Sequence, residues 1–298
     1  MLSINIPVYN IEVEDLVLQI IEQSKKLEIS YEIRVYDDCS KNEYKISNRI
    51  ILGYSNVVYV ELEKNLGRSA IRNKMGADSI YQYLLFIDAD STIVKDNYLE
   101  MFLNNTRLNQ VLCGGTTYQK EKPVQPEKLL RWFYGINREA VSAEIRNSKK
   151  GFIITSNNFL IEKKVFEKIN FREEIKNYGH EDTLLGYDLF KNNIEIFHIN
   201  NPVEHTGLEE ARLFIEKTKV ALESLHQITC NLLNGEKMFV EQVYFLNRYS
   251  QIKKYLPTIF LKLFYKISRG LIDLNLVGKN PNLFLFDFYK LGFYSTLK

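Results

Sequence analysis

Two aspartates separated by one small residue, Asp88 and Asp90, directly follow the apolar run Tyr83–Ile87. In an extended chain, residues two apart project to the same side of the backbone, so these carboxylates would lie together. Carboxylate oxygens are the ligands that Mg²⁺ and Mn²⁺ prefer, and Mg²⁺ often adds the phosphates of a substrate to them. An isolated triplet of this kind is more often a turn or a helix cap. Its position at the end of a predicted strand favours a metal site instead.

Further polar residues follow other predicted strands. Tyr9 comes after the apolar run Leu2–Pro7, and Asp37 and Asp38 come after Tyr31–Tyr36. Ligands of open α/β sheets bind beyond the carboxyl ends of the strands, so we expect these residues at one edge. For the segment that begins at Asp37, the residues alone leave two interpretations open, recognition of a base or ribose and capping of a helix.

A second acidic pair, Glu181 and Asp182, occurs where a helix is predicted to begin. Neighbouring side chains on a helix point about 100° apart, so only one of the two can face a given substrate. A carboxylate in such a place can remove a proton from a hydroxyl as a general base. The structural alternative is that both acids stabilise the helix N-terminus electrostatically.

The elements that must position these residues alternate between strand and helix patterns. Strands separated by helices predict an α/β fold with a mostly parallel sheet flanked by helices. The four early strands are Leu2–Pro7, Tyr31–Tyr36, Val57–Leu62 and Tyr83–Ile87, with a helix at Arg68–Tyr81. Later predictions are strands at Val111–Thr117, Phe152–Thr155 and Ile194–His198, and helices at Gln125–Arg146, near Glu181 and from Leu208 onward. We therefore expect a catalytic domain at 1–207 and a helical C-terminal region at 208–298.

The net charge, the absence of certain motifs and the cysteine spacing argue against several classes of protein. The net charge of +2 over 298 residues does not indicate a nucleic-acid partner. No glycine-rich dinucleotide or P-loop motif follows the early strands, which argues against dinucleotide oxidoreductases and P-loop NTPases. The three cysteines lack the spacing of a zinc site or a disulfide framework, a pattern typical of the cytoplasm. Neither a signal peptide nor a membrane span is recognisable.

Five motifs in order resemble the family-2 glycosyltransferases of the GT-A fold, which have a Rossmann-like sheet. The resemblance covers about Leu2 to His205, and Asn157-Asn158 precedes the last motif. The motifs are Ile4–Asn10, Asp37–Ser40, Asn65–Arg68 with Arg72-Asn73, Ile87–Asp90 and Asn177–Thr183.

The resemblance implies a role for each matching position. Pro7, Tyr9, Asp37, Asp38, Arg68 and Asp88 would bind the nucleotide. A metal ion, Mn²⁺ or Mg²⁺, would be bound by Asp90, with Asp88 and His205 completing its ligands. Asp182 would be the general base, and Glu181 would bind or orient the acceptor. Such an enzyme transfers a sugar from a nucleoside diphosphate, by default UDP, to an acceptor hydroxyl with inversion.

The implied acceptor is a saccharide or a lipid-linked saccharide, and the implied role is surface polysaccharide or glycoconjugate synthesis. The sequence departs from the family in Asp37–Ser40, where a glycine usually precedes the serine, and in His180, where an aromatic residue is common. The Gln-x-x-Arg-Trp motif of processive synthases is absent. Two alternatives stay open, a metal-dependent nucleotidyltransferase and a non-catalytic protein that binds nucleotide sugars.

The C-terminal region has its own signature. Residues 252–298 contain eight basic and two acidic side chains interleaved with many aromatic residues. One interpretation is peripheral contact with an anionic membrane at its inner face. The other is a helical cap that packs on the catalytic domain or on a second subunit of a homo-oligomer.

Overall fold

The protein is described by a computed structural model that covers residues 1–149 and 151–298. Contacts divide the chain into two compact units. The first comprises residues 1–117, 140–176 and 181–207, and the second comprises residues 118–139, 177–180 and 208–298.

The first unit is built on a seven-stranded sheet. Its strands are β1 (Leu2–Val8), β2 (Tyr31–Asp37), β3 (Val57–Glu61), β4 (Tyr83–Ile87), β6 (Gln110–Cys113), β8 (Asn158–Glu162) and β9 (Glu195–His198), in the order β3-β2-β1-β4-β8-β6-β9. All neighbours pair in parallel except β8, which runs antiparallel to β4 and to β6. The carboxyl ends of β1, β2 and β4 therefore meet at one edge of the sheet.

Helices cover both faces of this sheet because its strands are apolar on both sides. In β4, Leu85 and Ile87 face a core with α1 (Glu14–Ser24) and α4 (Tyr98–Asn104). The alternate residues Leu84 and Phe86 face a second core with three further helices. These are α3 (Arg68–Asp78), α7 (Lys163–Phe166) and α8 (Glu181–Lys191). The remaining helices of the unit are α2 (Asn42–Asn48), the 3₁₀ turn Arg49–Gly53 and α6 (Ala143–Ser148).

A small three-stranded sheet lies beside the large one. It consists of β5 (Ser91–Ile93), β10 (Val203–His205) and β7 (Thr116–Thr117), in that order. The register of the antiparallel pair places His205 opposite Ser91. This pairing brings the segment after Asp90 next to the end of the first unit.

The second unit is helical. Its elements are the 3₁₀ turn Pro126–Lys128, α5 (Leu129–Tyr134), the π turns Gly135–Glu139 and Ile228–Leu232, α9 (Ala211–Gln227), α10 (Lys237–Gln242), α11 (Tyr244–Tyr255), α12 (Thr258–Leu276) and α13 (Leu283–Thr296). Its core joins Leu130 of α5, Phe214 of α9, Ile272 of α12 and Phe286 of α13. No helix in the described ranges is long and apolar enough to cross a membrane.

The predicted α/β fold, with a mostly parallel sheet, flanking helices and a helical C-terminal region, is confirmed. The early strands were predicted to within one residue at each end, and the helix predicted at Arg68–Tyr81 ends at Asp78.

Three later predictions were wrong. The single strand Val111–Thr117 is two strands, because the chain leaves the large sheet at Gly114 and the left-handed Gly115 and enters the small sheet. The strand predicted at Phe152–Thr155 lies instead at Asn158–Glu162. The single helix Gln125–Arg146 breaks after Glu139, where the chain passes from the second unit to the first, and the hydroxyl of Ser142 caps the next helix.

Candidate active site

The carboxyl edge of the large sheet is assembled by hydrogen bonds between the loops that leave β1 and β2. The backbone N–H of Asn10 donates to Ser40 Oγ at 2.8 Å, and the N–H of Lys41 donates to Asn10 Oδ1 at 2.9 Å. Asn10 itself has a left-handed backbone, which asparagine tolerates better than most residues. The turn leaves the ring of Tyr9 57% exposed beside the half-buried Pro7, so both can meet a ligand.

Asp38 anchors the loop that precedes α3. Its Oδ1 accepts the N–H of Leu66 at 2.6 Å, and its Oδ2 accepts the N–H of Gly67 at 3.0 Å. Burial and the charge of Asp37 raise the pKa of Asp38 above its usual value, although the two N–H groups favour the carboxylate. These bonds fix the position at which α3 begins, and hence the origin of the Arg68 side chain.

Asp37 is fully buried at the end of β2. Its Oδ1 accepts the N–H of Ser40 at 2.7 Å, as in a capping turn. Burial and the charge of Asp37 raise the pKa of Tyr59. Asp37 thus shapes the loop in this arrangement, and its contact with a base or ribose stays a prediction.

Two arginines of α3 and two acids from distant segments form what we call the ion network: Arg68, Arg72, Asp88 and Glu181. Arg72 pairs with Asp88 Oδ1, and Arg68 lies 3.4 Å from Asp88 Oδ2. Arg68 also pairs with Glu181, and Arg72 donates to the carbonyl of Arg68 at 2.9 Å. Positions 68 and 72 are one turn apart, so both guanidinium groups lie on one face of α3.

The ion network contains two arginines and two acids, and the positive charges keep both carboxyl groups ionised. Burial alone would raise the pKa of Asp88, but the charges of Arg72 and Arg68 outweigh it and hold this pKa below its usual value. The same opposition, with Arg68 as the main cation, lowers the pKa of Glu181. Arg72 is 2% exposed, whereas Arg68 is 39% exposed. Arg72 is therefore a positioning residue for Asp88, and Arg68 is the arginine that a ligand can reach.

The neighbours Glu181 and Asp182 have different environments at the start of α8. Glu181 is 5% exposed and bound to Arg68. Asp182 is half-buried and accepts the N–H of Thr183 at 2.7 Å. Loss of hydration and the adjacent charge of Glu181 raise the pKa of Asp182 to about 6. A carboxylate with such a pKa binds a proton more readily than an ordinary aspartate, as a general base requires.

Asp90 and His205 form the part of the edge that suits a metal ion. His205 Nδ1 lies 3.4 Å from Asp90 Oδ2, and the N–H of Thr206 donates to the Asp90 carbonyl at 2.9 Å. A Cβ at Gly207 would lie 2.8 Å from Asp90 Oδ2, so the absence of a side chain lets the backbone approach this carboxylate closely. Asp88, on the other side of Ala89, is instead paired with the arginines of the ion network.

Among residues 1–149 and 151–298, no three His, Cys, Asp or Glu side chains enclose a metal position by themselves. The donors present at Asp90 and His205 instead fit an ion that takes few protein ligands and completes its coordination with phosphate oxygens. Asp88 as a direct ligand stays a prediction.

Two buried side chains whose roles were not predicted from the sequence, Asn158 and Arg146, bind backbone carbonyls of the segments that follow β6 and β9. Asn158 donates to the carbonyls of Gly115 and Asn201 and accepts from Tyr98 Oη at 2.7 Å. Arg146 donates to the carbonyls of Gly114 and Ile199, and its charge, together with burial, lowers the pKa of His198 to about 4. Only the pair Asn157-Asn158 was noticed in the sequence, because nothing in the spacing links Arg146 to β6.

Known proteins resemble this chain in sequence family and in fold. A model of "Glycosyl transferase family 2" matches residues 3–170, more than half of the chain. No curated protein sequence matches the chain.

Solved structures with a similar fold include S. aureus TarS 1–349 at 18% identity and a TM-score of 0.54, over 93% of this chain and 80% of that one. The same TarS fragment was solved with UDP, at 17% identity and a TM-score of 0.55, over 93% and 79%. A third is the mannosyltransferase PcManGT from Pyrobaculum calidifontis, solved with GDP-Man and Mn²⁺, at 12% identity and a TM-score of 0.57, over 99% and 84%. These likenesses confirm the predicted GT-A fold. With the match to the family model, they establish that this chain belongs to glycosyl transferase family 2 and is a glycosyltransferase.

Proposed function

We propose that this glycosyltransferase moves a hexosyl group from a nucleoside diphosphate sugar, with UDP as the default nucleotide, to an acceptor hydroxyl with inversion. The acceptor would be a saccharide or a lipid-linked saccharide, in surface polysaccharide or glycoconjugate synthesis. The observation that carries the proposal is the contrast between Glu181, which is bound to Arg68, and the adjacent Asp182, which is half-buried with a raised pKa.

Asp182 acts in this proposal as the general base. A hydroxyl is a poor nucleophile until its proton is removed as the new bond forms, and a positioned base typically contributes on the order of 10² to 10⁴-fold. Asp182 Oδ1 accepts the N–H of Thr183, which orients the carboxylate. One base on the side opposite the leaving group gives single displacement and inversion, by analogy with inverting glycosidases. Glu181 holds Arg68 in place rather than taking the proton.

The diphosphate leaves with negative charge, and in this proposal Arg68 receives it. Its guanidinium is partly exposed, and charge-assisted hydrogen bonds from arginine to phosphate are among the stronger ones in proteins. A divalent cation such as Mn²⁺ or Mg²⁺, held by Asp90 and His205, would neutralise part of this charge as a Lewis acid. The similar structure of PcManGT, solved in complex with GDP-Man and Mn²⁺, supports this assignment by analogy.

The nucleotide would lie against the loops after β1 and β2. Tyr9 and Pro7 offer apolar surface to a base, and Asp38 retains acceptor capacity beyond its two backbone bonds. Asp37 would contact the base or ribose as well as fixing the turn, and Asp88 would contact the ribose as well as pairing with Arg68. TarS structures with UDP and UDP-GlcNAc support a uracil nucleotide by analogy. We place the reaction in the cytoplasm, where Cys39, Cys113 and Cys230 would remain thiols.

A donor-hydrolysis assay tests the proposal. UDP-, GDP- and TDP-sugars would be supplied with Mn²⁺ or with EDTA, to wild type, to Asp90→Ala and to the control Asp96→Asn, which changes an exposed acid outside the site. We expect turnover of one nucleotide class that requires metal, survives in the control and is lost in Asp90→Ala. Metal-independent turnover, or full turnover by Asp90→Ala, would overturn the metal assignment. A nucleotidyltransferase would release pyrophosphate from a nucleoside triphosphate, and a binding protein would show no turnover at all.

A further inference from the structure

The outer face of α12 is apolar and exposed, whereas the outer face of a surface helix is normally polar. Six of its side chains are between 52% and 75% exposed: Ile259, Phe260, Leu263, Ile267, Leu271 and Leu274. At about 100° per residue these positions fall within one arc roughly 120° wide. A contiguous exposed apolar surface of this kind marks an interaction site in a folded protein.

The opposite face of α12 is already used for packing. Leu261, Tyr265, Ile272 and Leu276 are buried, and three of them belong to the core of the second unit. A Cβ at Gly292 would lie 2.6 Å from Tyr265 Cβ, so this glycine lets α13 approach α12 closely. Rotation of α12 to bury its outer face would break this contact. The outer face therefore needs an occupant from outside the second unit.

Charge identifies the chemistry of that occupant. Lys262, Lys266 and Arg269 lie along one flank of the apolar arc, accompanied there by the single acid Asp273. Lys253 and Lys254 lie in the last turn of α11, which ends at the largely exposed Tyr255 shortly before α12. An apolar face bordered by lysine and arginine, with tyrosine near its end, is the pattern of a helix that lies in the interface of a membrane.

We propose that the outer face of α12 docks on a membrane surface that contains anionic lipids. The apolar side chains enter the boundary between headgroups and acyl chains, and the basic flank pairs with lipid phosphates, each cation contributing attraction that salt screens. A second copy of the chain is disfavoured as the occupant. Two such faces brought together would bury the apolar arc, but α12 itself offers only Asp273 as an anionic partner for the basic flank. The proposal is independent of the sugar and nucleotide assignments.

Vesicle co-sedimentation of the full chain tests the proposal. Vesicles of phosphatidylcholine alone would be compared with vesicles that contain about one third phosphatidylglycerol. The variant Leu263→Ser/Ile267→Ser/Leu271→Ser removes apolar surface from α12. The matched control Ile46→Ser/Ile80→Ser/Leu108→Ser removes three side chains that are 65% to 70% exposed in the first unit. The charge variant is Lys262→Gln/Lys266→Gln/Arg269→Gln.

We expect wild type and control to bind the anionic vesicles equally well, and the α12 apolar variant to bind at least about tenfold more weakly. The charge variant should lose most of the difference between anionic and neutral vesicles, as should wild type in high salt. Equal binding by wild type and the apolar variant would overturn the proposal. So would a wild type that ignores vesicles but forms a dimer that the apolar variant converts to monomer, since the occupant would then be a second copy.

A reporter placed on the face gives a readout that does not depend on multiple substitutions. In Ile267→Trp, anionic vesicles should shift the added fluorescence to shorter wavelength, because the indole leaves water. Ile80→Trp, at a position of similar exposure in the first unit, should show no such shift. An unshifted Ile267→Trp spectrum, or equal shifts at both positions, would contradict docking through α12.

Discussion

Two neighbouring groups of acids at the candidate active site have opposite electrostatic surroundings. In the ion network, two arginines and two acids compensate one another, and Asp88 and Glu181 keep lowered pKa values despite burial. Beside it, Asp182 is half-buried and has a raised pKa, and Asp90 is 34% exposed, with His205 Nδ1 3.4 Å from its Oδ2. The compensated acids hold geometry, and the less compensated acids remain available for a proton or a cation. Adjacent carboxylates can thus differ in role because their partners differ.

The largest effect is expected on kcat, from a substitution of Asp182. Asp182→Asn removes the base and keeps the shape, so kcat should fall on the order of 10² to 10⁴-fold. Donor binding, measured by calorimetry, should change little, because Asp182 is assigned to the acceptor side. A fall in kcat of less than about threefold would remove Asp182 from the mechanism. The exposed acid Asp96, changed to Asn, provides the control.

A substitution in the ion network should lower the free energy of unfolding. Asp88→Ala leaves Arg72 buried without its carboxylate partner, and loss of one member of a buried pair typically costs about 3 to 5 kcal/mol. The free energy of unfolding would be measured by urea denaturation followed by circular dichroism. Glu241→Ala breaks an exposed pair with Lys237 and should cost less than about 1 kcal/mol. Similar losses for both variants would show that the ion network does not stabilise the edge.

A smaller, local effect is expected at the loop before α3. Asp38→Ala deprives the N–H groups of Leu66 and Gly67 of their acceptor, at a cost of about 2 kcal/mol. Hydrogen exchange of these two amides should accelerate by roughly thirtyfold, since 1.4 kcal/mol corresponds to a factor of ten. The amide of Ile71, which donates to the carbonyl of Gly67 within α3, serves as the internal reference. Unchanged exchange at Leu66 and Gly67 would mean that another group holds the loop.

The pH profile gives the smallest effect. Since a base acts as the carboxylate and the pKa of Asp182 is raised to about 6, kcat/KM should fall as pH drops through about 6. Below that value the loss should approach tenfold per pH unit, whereas an ordinary aspartate would keep activity to about pH 4. Nucleotide binding measured over the same range separates this titration from loss of the donor. A flat profile down to pH 5 would contradict the assignment.

The early strands of the first unit could be predicted from the sequence, whereas only the residue types of the site could be predicted and not their pairings. Tyr83–Ile87 was predicted with its observed bounds, because a short apolar run bounded by polar residues has few other solutions. Asp88 was recognised from its place after that strand. Its pairing with Arg72 could not be foreseen, since it depends on how α3 packs on the sheet. Likewise, Arg68 and Glu181 are 113 residues apart.

The misplaced strand at Phe152–Thr155 illustrates the limit of pattern reasoning. The run Phe152-Ile153-Ile154 is as apolar as a buried strand, but the sheet uses Asn158–Glu162 because the tertiary fold supplies β4 and β6 as partners there. Local composition cannot distinguish two such neighbouring segments. The interleaved units were equally invisible, because residues 118–139 and 177–180 join the second unit through contacts distant in sequence.

The stereochemistry of the released sugar distinguishes single displacement, with Asp182 as base, from a mechanism that retains configuration. An α-linked nucleotide sugar identified by the donor panel would be turned over with water or a saccharide acceptor and followed by proton NMR before mutarotation. We expect that the β-anomer appears first and that Asp182→Asn slows its appearance. First appearance of the α-anomer would mean retention, and would contradict a base that acts from the face opposite the leaving diphosphate.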